Sequence, residues 1–300
     1  MTGFLSAVVA AILFGVGGTF AQYLFQNRGI NTEWLVTMRL LGAGSVLLVL
    51  SAARDWRATM AIWRDRRDVL QVILFGVVGM MPVQYTYFAA IHASNTATAT
   101  VLQYTGPAMI AVWLALRGRR WPTRREYGAI VLALAGTFFL VAQGDFRALS
   151  ISPLALFWGL ASAAAAAFNS LQPAGLLRKH GAAHVTGWGM LIGGIALSFV
   201  HAPWRVEGVW DTRSYLFVAF ILIFGTLAAF YLYLKAVHMI GAQKSALLTC
   251  AEPLSAAVLA VWWLGVSFGA MDWLGTICIL ATIVLLSQAQ SEESQSEKVT

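Results

Sequence analysis

The chain has 300 residues, of which 59% are hydrophobic and only 11% are charged. Soluble globular chains carry about 25% charged residues, so this composition excludes an ordinary water-soluble fold and predicts an all-α integral membrane protein. The net charge is +7, but the basic residues lie in short stretches between apolar runs. They therefore indicate orientation in a membrane and exclude nucleic acid as a partner.

Apolar runs of the length needed to cross a bilayer, about 20 residues, follow one another along the whole chain. The predicted membrane-spanning helices, termed spans 1 to 10, cover residues 3–26, 33–53, 69–92, 95–116, 125–142, 153–175, 184–202, 215–239, 242–264 and 270–288. Span 1 follows no basic residue and is longer than a signal-peptide core, so we expect it to be retained. Residues 291–300 are rich in Ser and Glu and are predicted to form a disordered cytoplasmic tail.

The Lys and Arg residues are distributed unevenly between the two sides that ten spans define. Fourteen of them lie on the side of the even-numbered loops and the tail, whereas four, Arg28, Arg147, Arg205 and Arg213, lie in the odd-numbered loops. Positively charged loops remain on the cytoplasmic side. The sequence therefore predicts cytoplasmic N and C termini and a multi-pass protein of the bacterial cytoplasmic (inner) membrane.

The two halves of the chain share a sequence pattern at a constant spacing. Tyr87 and Pro107 match Tyr233 and Pro253, each 146 residues later. The alternative explanation is chance similarity between apolar, Ala-rich helices. If the similarity reflects a repeat, each half contains an equivalent proline in a transmembrane segment, and such paired interruptions indicate where a transporter binds its substrate.

A repeat would divide the chain into two five-helix units, residues 1–145 and 150–290. Because five is an odd number, the second unit would enter the membrane from the side opposite to the first. Inverted repeats of this kind are typical of secondary transporters, in which two related packings open a central site to alternate sides.

The sequence resembles the drug/metabolite transporter (DMT) superfamily, EamA type, over nearly its whole length. The resemblance depends on Arg39 with Ala43 in span 2, on "HASNTATATVLQYTGP" across spans 3 and 4, and on "AEPLSAAVLAVWWLG" in span 9. The acidic residue that the family often carries just after span 4 or span 9 is absent here. The resemblance implies a ten-helix transporter fold, and within the family the chain looks most like the YddG-like exporters of aromatic and other hydrophobic amino acids.

Polar side chains inside a bilayer are costly and usually face the interior of the helix bundle. Helical periodicity within the spans selects as candidate substrate-binding residues Gln84, Tyr85, Gln103, Tyr104, Trp158, Asn169, Tyr231 and Glu252. Pro107 and Pro253 are predicted helix breaks or hinges that present free backbone groups to the substrate. The alternative for each polar residue is hydrogen bonding between helices.

Glu252 is the one acidic residue that lies well inside a predicted span. Two roles remain open for it: a group that binds a proton or a substrate ammonium, or a structural carboxylate paired with Lys235 or Arg39. We expect Arg39 to extend its side chain to the outer membrane boundary. Lys235 is expected to add to the positive charge at the cytoplasmic side.

Sequence motifs for other kinds of function are missing. The sequence contains no nucleotide-binding loop, no His-Glu-x-x-His run and no other cluster of metal ligands, so we predict neither a cofactor nor a metal. An integral membrane enzyme remains a distant alternative. Gly189 and Gly193 have the spacing of close helix packing or of a dimer contact, which favours a monomer or a weak dimer.

We therefore expect a secondary transporter that exports small amphipathic metabolites, foremost aromatic and hydrophobic amino acids, by alternating access at a midplane cavity. A multidrug or nucleotide-sugar carrier of the same fold is the alternative. The expected partners are a small-molecule substrate and membrane lipid, and coupling to protons is left open.

Overall fold

The computed structural model describes residues 2–93, 96–117, 121, 123–142, 145, 152–255, 258, 269–271, 273–282 and 284–285. The predicted tail at 291–300, most of the second half of span 9 and the end of span 10 lie outside these residues. In the described part of the chain, all regular structure is helical.

Helices follow one another with short connections. The first seven are α1 Thr2–Arg28, α2 Thr32–Arg54, α3 Trp56–Met60, α4 Arg66–Leu74, α5 Met81–Ala93, α6 Thr96–Gln103 and α7 Gly106–Leu116. The next six are α8 Arg124–Ala142, α9 Pro153–Leu171, α10 Ala174–Ser198, α11 Thr212–Leu222, α12 Ala229–Ile240 and α13 Ala242–Leu248. A 3₁₀ turn at Ala61–Arg64 joins α3 to α4, and helical residues 251–255 follow α13.

Short polar side chains begin several of these helices. Asn31 Oδ1 accepts a hydrogen bond of 2.9 Å from the backbone N–H of Trp34 at the start of α2. Ser152 Oγ accepts one of 3.1 Å from Ala155 at the start of α9. These caps satisfy N–H groups that the first helical turn leaves without a partner, and a membrane interior offers no water to replace them.

Six helices of the described residues are long and apolar enough to cross a membrane. They cover Thr2–Phe25, Thr32–Arg54, Arg66–Ala90, Ala99–Leu116, Pro153–Leu171 and Thr212–Ile240, and a shorter apolar helix covers Trp273–Thr282. The predicted class, an all-helical membrane protein, is therefore confirmed. The number of ten spans and the cytoplasmic position of both termini stay predictions.

Two spans contain a wider helical turn at corresponding places. A π-helical segment at Phe75–Met80 joins α4 to α5 within span 3, and another at Ile223–Ala228 joins α11 to α12 within span 8. We term them the first and the second π segment. Segments of this kind leave carbonyl groups outside the ordinary helical pattern and are frequent at functional sites.

Spans 4 and 9 are interrupted just before their prolines. Span 4 leaves its helical path at Tyr104, and α7 begins with Gly106 and Pro107. Span 9 is interrupted after Leu248 and is helical again at 251–255, with Pro253 as the third residue. Proline is tolerated in the first turn of a helix, where its missing N–H has no partner to lose.

The boundary between spans 6 and 7 differs from the prediction. Helix α9 ends at Leu171 rather than at residue 175, and α10 already begins at Ala174. Pro173 separates the two helices because its ring cannot donate the next helical hydrogen bond. Gly181, with φ of 76°, then changes the direction of α10 before its apolar part.

The helices of the two halves pack in reciprocal pairs. Helix α1 packs against α12, and α5 packs against α9; likewise α1 contacts α13, and α9 contacts α7. Helix α2 runs along α10. In terms of the predicted repeat, spans 1 and 8 thus meet as spans 6 and 3 do. A buried cluster that includes Phe75, Met190 and Tyr233 fills the space between these helices.

Candidate functional site

The interruptions of spans 4 and 9 meet at a shared hydrogen bond. The hydroxyl of Tyr104 lies 2.8 Å from the backbone carbonyl oxygen of Thr249 and 3.0 Å from Oε2 of Glu252. A phenol has one O–H hydrogen, so these two acceptors compete for the same donor. Tyr104, from the first half, therefore holds the acid and the broken backbone of the second half.

Span 4 is fixed against α9 on both sides of its break. Gln103 Nε2 donates a hydrogen bond of 2.8 Å to Ser162 Oγ. A Cβ added to Gly106 would lie 3.3 Å from the carbonyl oxygen of Ala163, and one added to Gly159 only 2.4 Å from a methyl group of Leu102. Small residues thus bring the break close to α9.

Helix α1 approaches the break of span 9 at a single glycine. A Cβ on Gly15 would lie 2.1 Å from Ser255 Oγ and 2.5 Å from the carbonyl oxygen of Glu252. No other residue type fits there without displacement. Glu252 is therefore held between α1, which lies against its backbone, and Tyr104, which contacts its carboxylate.

Two tyrosines that served only to identify the repeat also take part in polar contacts near this site. The hydroxyl of Tyr87 lies 2.9 Å from Thr100 Oγ1, and that of Tyr233 forms a hydrogen bond with Ser170 Oγ. Neither tyrosine was selected as a site residue. Their match at the constant spacing was the sequence signal that could have pointed to them.

Tyr85 and Trp158 form an aromatic pair. Their rings meet edge to face, with centroids 6.0 Å apart, across the contact between α5 and α9. Trp158 also packs against Phe157 at 5.1 Å. The two predicted aromatic residues are thus brought together.

Two further predicted residues, Gln84 and Asn169, carry buried polar atoms without a partner among the described residues. Within the described structure, Oε1 and Nε2 of Gln84 have no hydrogen-bond partner, and Oδ1 of Asn169 has none either. Gln84 is only 6% exposed and Asn169 only 2%. Buried polar atoms are nearly always hydrogen-bonded in proteins, so these amides have capacity left for water or a ligand.

Two remaining residues, Tyr231 and Lys235, lie on α12 and take no part in these hydrogen bonds among the described residues. Tyr231 is partly buried on α12, and no hydrogen bond joins it to Tyr104 or Glu252 in the described part of the chain. Lys235 is likewise partly buried on α12, and Glu252 is hydrogen-bonded to Tyr104 rather than to Lys235 or Arg39.

Arg39 does not extend to the outer boundary as expected. Its Nε donates a hydrogen bond of 2.7 Å to Thr226 Oγ1, and its guanidinium also contacts the carbonyl oxygen of Gly225 at 3.3 Å. Both acceptors belong to the second π segment. Thr226 in turn donates to the carbonyl oxygen of Ile221 at 2.7 Å, so Arg39 fixes the irregular turn of span 8 to α2.

Metal chemistry has no candidate ligands in the described residues. Among them, no group of three or more His, Cys, Asp or Glu side chains is placed to hold a metal ion. The described residues do offer hydrogen-bonding groups for a small polar molecule, namely a carboxylate, a phenol, unpaired amide atoms and the Thr249 carbonyl oxygen, which also accepts a hydrogen bond of 2.8 Å from the backbone N–H of Glu252.

Comparison with known proteins identifies the family. The model of the EamA-like transporter family matches residues 1–142 and 153–288. The inner membrane transporter YicL of Salmonella typhimurium is 40% identical over 95% of both chains. The threonine/homoserine exporter RhtA of Escherichia coli K12 is 25% identical over 94% of this chain and 90% of its own.

A solved crystal structure has a TM-score of 0.77 and 18% sequence identity, with 96% of each chain covered, which shows the same fold. The family match spans nearly the whole chain, the relatives are transporters, and the apolar helices agree with an inner-membrane location. The chain therefore belongs to the EamA-like transporter family of the DMT superfamily and is a multi-pass transporter of the bacterial inner membrane.

Proposed function

We propose that this transporter exports small amino acids through a site between the breaks of spans 4 and 9, where Glu252 receives the substrate ammonium. The observation that carries the proposal is the contact of Tyr104 with Glu252 and with the carbonyl oxygen of Thr249. An ammonium group has three N–H donors. It can satisfy both acceptors at once, which the single hydroxyl of Tyr104 cannot.

The unpaired amides supply the groups that the rest of an amino acid requires. The Nε2 atom of Gln84 is a donor for a carboxylate, and Oδ1 of Asn169 is an acceptor for a side-chain hydroxyl. These groups favour a substrate with a hydroxyl, such as the threonine and homoserine named for the relative RhtA. A site that hydrogen-bonds a substrate hydroxyl rejects analogues that lack it, because its own polar groups are then left unpaired.

The edge-to-face pair of Tyr85 and Trp158 favours a second candidate, the aromatic and hydrophobic amino acids. Aromatic contacts contribute about 0.5–1.5 kcal/mol beyond the burial of apolar area. A ring on the substrate would pack against these two side chains. Multidrug or nucleotide-sugar transport lacks a comparable observation in its favour.

We further propose that residues 1–145 and 150–290 are two inverted five-helix repeats. The reciprocal contacts of spans 1 with 8 and of 6 with 3, and the two π segments at corresponding places, support this arrangement. Such symmetry allows the two halves to exchange conformations, so that the site opens to alternate sides.

The test is counterflow in liposomes of purified protein. We expect labelled threonine and homoserine to accumulate against their unlabelled forms, and Glu252→Ala to abolish this exchange. Phenylalanine, a cationic dye and a nucleotide sugar serve as competitors. Competition by phenylalanine that Trp158→Leu removes would favour the second candidate, and competition by the dye or the nucleotide sugar alone, without any amino acid, would contradict the proposal.

A further inference from the structure

A separate cavity of about 280 Å³ lies between the ends of α7, α9 and α12 and the start of α13. By the predicted topology, this side of the molecule faces the cytoplasm. Its polar lining residues are Ser170, Arg178, His238, Gln243 and Lys244, and the others are mainly aliphatic. Cavities that bind drug-sized ligands have volumes of about 300–1,000 Å³. This cavity lies just below that range and therefore suits a smaller molecule.

The polar part of this cavity is basic. Arg178, His238 and Lys244 line it, and none of its described lining residues is acidic. A wall with charges of one sign attracts ligands of the opposite sign. Guanidinium groups in particular form strong paired hydrogen bonds with carboxylate and phosphate oxygens.

Lys179 and His180, which follow Arg178 in the chain, are both paired with acidic residues, and within the described part of the chain Arg178 is not. Lys179 Nζ contacts Asp65 at 3.0 Å and Asp68 at 2.6 Å, and His180 Nε2 contacts Asp68 at 2.7 Å. Asp65 and Asp68 are thus already paired with Lys179 and His180. The guanidinium of Arg178 forms no hydrogen bond or ion pair with any part of the chain that the structure describes.

A buried donor also lines the cavity without a partner. Gln243 is only 3% exposed, and its Nε2 has no hydrogen-bond acceptor in the described structure. Buried amide donors are rarely left unpaired. An acceptor from a bound molecule would satisfy Gln243 and the exposed Arg178 together.

We propose that this cavity binds the carboxylate of a small amphipathic molecule, and that it is the cytoplasmic entry site for the substrate. Arg178 and Gln243 bind the carboxylate, and the aliphatic wall takes the hydrocarbon part. The assignment of the ligand to the transported substrate rests on the proposed export of amino acids. The anion site itself rests on the cavity alone.

Ser170 connects this cavity to the interior of the bundle. Ser170 lines the cavity, its hydroxyl is hydrogen-bonded to Tyr233, and the preceding residue, Asn169, has the unpaired Oδ1 described above. On the other side, Gln243 precedes Ser245, whose buried hydroxyl also has no partner in the described structure. Polar groups with unused capacity thus lie beside both Ser170 and Gln243 in the sequence, and Ser245 lies one helical turn before Thr249.

The experiment uses two probes that each carry one end of an amino acid. Sodium butyrate has a carboxylate without an ammonium, and n-butylamine at neutral pH has the ammonium alone. Binding is measured calorimetrically to the full-length protein in nanodiscs of phosphatidylcholine. Arg178→Gln is expected to weaken butyrate binding about tenfold, because a hydrogen bond to a charged group contributes about that factor, and Gln243→Leu should weaken it less.

Matched controls separate the two sites. Arg57→Gln removes an exposed arginine of α3 outside the cavity and should leave butyrate binding unchanged, as should Glu252→Gln. Butylamine binding should be weakened by Glu252→Gln and left unchanged by Arg178→Gln and by Arg57→Gln. Butyrate binding that is absent from the wild type, or that Arg178→Gln does not alter, overturns the cavity assignment.

A lipid phosphate is the other source of an anion at this place. The same titration in nanodiscs that contain phosphatidylglycerol should still detect butyrate binding; its loss there would assign the cavity to a lipid headgroup and overturn the proposal. If threonine and other amino acids are not transported by the wild type, the proposed function fails. The Arg178-dependent binding of butyrate still decides whether the anion site exists.

Discussion

At the scale of single residues, the site depends on one hydroxyl between two acceptors. Tyr104 and Glu252 are 148 residues apart in the sequence, and each belongs to a span that its own proline interrupts. The Thr249 carbonyl accepts a hydrogen bond of 2.8 Å from the backbone N–H of Glu252 and has its second lone pair available to Tyr104, because the residue four positions on is Pro253, which has no N–H. In the proposed function, the substrate ammonium replaces the Tyr104 hydroxyl as the donor to the Glu252 carboxylate.

Removing the Tyr104 hydroxyl should impair the site and leave the fold intact. In Tyr104→Phe we expect the free energy of unfolding to fall by about 1 kcal/mol, the typical net contribution of one hydrogen bond, and exchange of labelled substrate to slow severalfold. Thermal unfolding and counterflow measure the two effects. Tyr127→Phe, on the exposed face of α8, is the control, and equal effects of both changes would contradict a role for Tyr104 in the site.

Glu252→Gln tests whether the acid couples transport to protons. The glutamine Oε1 can still accept the hydrogen bond from Tyr104, so we expect melting temperature to change little. If Glu252 exchanges a proton during the cycle, the variant should lose its response to an imposed pH gradient and retain exchange of labelled for unlabelled substrate at a lower rate, because the neutral amide binds the substrate ammonium more weakly than the carboxylate does. A variant that keeps the full pH response would exclude Glu252 as the coupling acid.

At the scale of helices, glycines determine how closely the elements meet. Gly15 of α1 lies against Ser255 and the backbone of Glu252, and Gly17 lies against Gly225 of the second π segment. Gly76 of the first π segment lies against Ile192 and Gly189 of α10. Small residues at helix contacts let backbones approach and replace the hydrophobic driving force that a membrane lacks.

Two glycines of α1 offer a matched comparison. Gly15→Ala should lower the free energy of unfolding by about 1–3 kcal/mol, the usual cost of overpacking, and should impair transport because it displaces Glu252. Gly18 has no atom within 4 Å of an added Cβ, so Gly18→Ala should be neutral or stabilise α1 by up to about 1 kcal/mol. Thermal unfolding of both variants measures these changes. A similar loss of stability in the two would mean that α1 does not pack closely on span 9.

At the scale of the whole molecule, polar contacts join separate parts of the chain at both predicted faces of the membrane. On the predicted outer side, Arg28 at the end of α1 forms an ion pair of 2.8 Å with Asp211, which caps α11. On the predicted cytoplasmic side, Lys179 bridges Asp65 and Asp68. The proposed alternating access predicts that contacts of this kind form and break in turn.

The contact between Arg28 and Asp211 should weaken as the pH falls. Hydrogen bonds from the backbone N–H and the hydroxyl of Ser214, followed by the contact with Arg28, lower the pKa of Asp211 from 3.8 to about 2. A lowered pKa means that the stabilisation is complete above pH 3.8 and is lost as pH falls through about 2.

Two variants of Asp211 should separate its cap from its ion pair. Asp211→Asn keeps an acceptor for Ser214 and loses the charge, whereas Asp211→Ala loses both. At pH 6 we expect melting temperatures in the order wild type, Asn, Ala, with the gap between wild type and Asn closing as pH falls from 4 towards 2. A gap that is the same at all pH values would mean that the ion pair contributes nothing.

The predicted orientation is testable at the same scale. Fourteen Lys and Arg residues lie on the side assigned to the cytoplasm, against four on the other. A reporter active only in the periplasm, fused after Thr300, should therefore stay inactive, and the same reporter inserted in the loop after α10 should be active. The reverse result would exchange the sides of every loop and place the Arg178 cavity outside.

The sequence by itself determined the class of the protein and several of its important residues. Membrane helices can be predicted because hydropathy is a local property, and Glu252 was found because a buried acid is costly and therefore rare in a span. The breaks near Pro107 and Pro253 follow from the missing N–H of proline. Resemblance of the quoted motifs indicated the family, which the comparison confirmed.

Only the tertiary structure decided which of these residues meet. The partner of Glu252 proved to be Tyr104, and that of Arg39 proved to be Thr226, because such contacts depend on the packing of helices far apart in the chain. Periodicity selects a helix face and cannot say which neighbour that face has. The approach of Gly15 to Glu252 is likewise a contact between helices far apart in the chain, and such contacts leave no signal in the local pattern of the sequence.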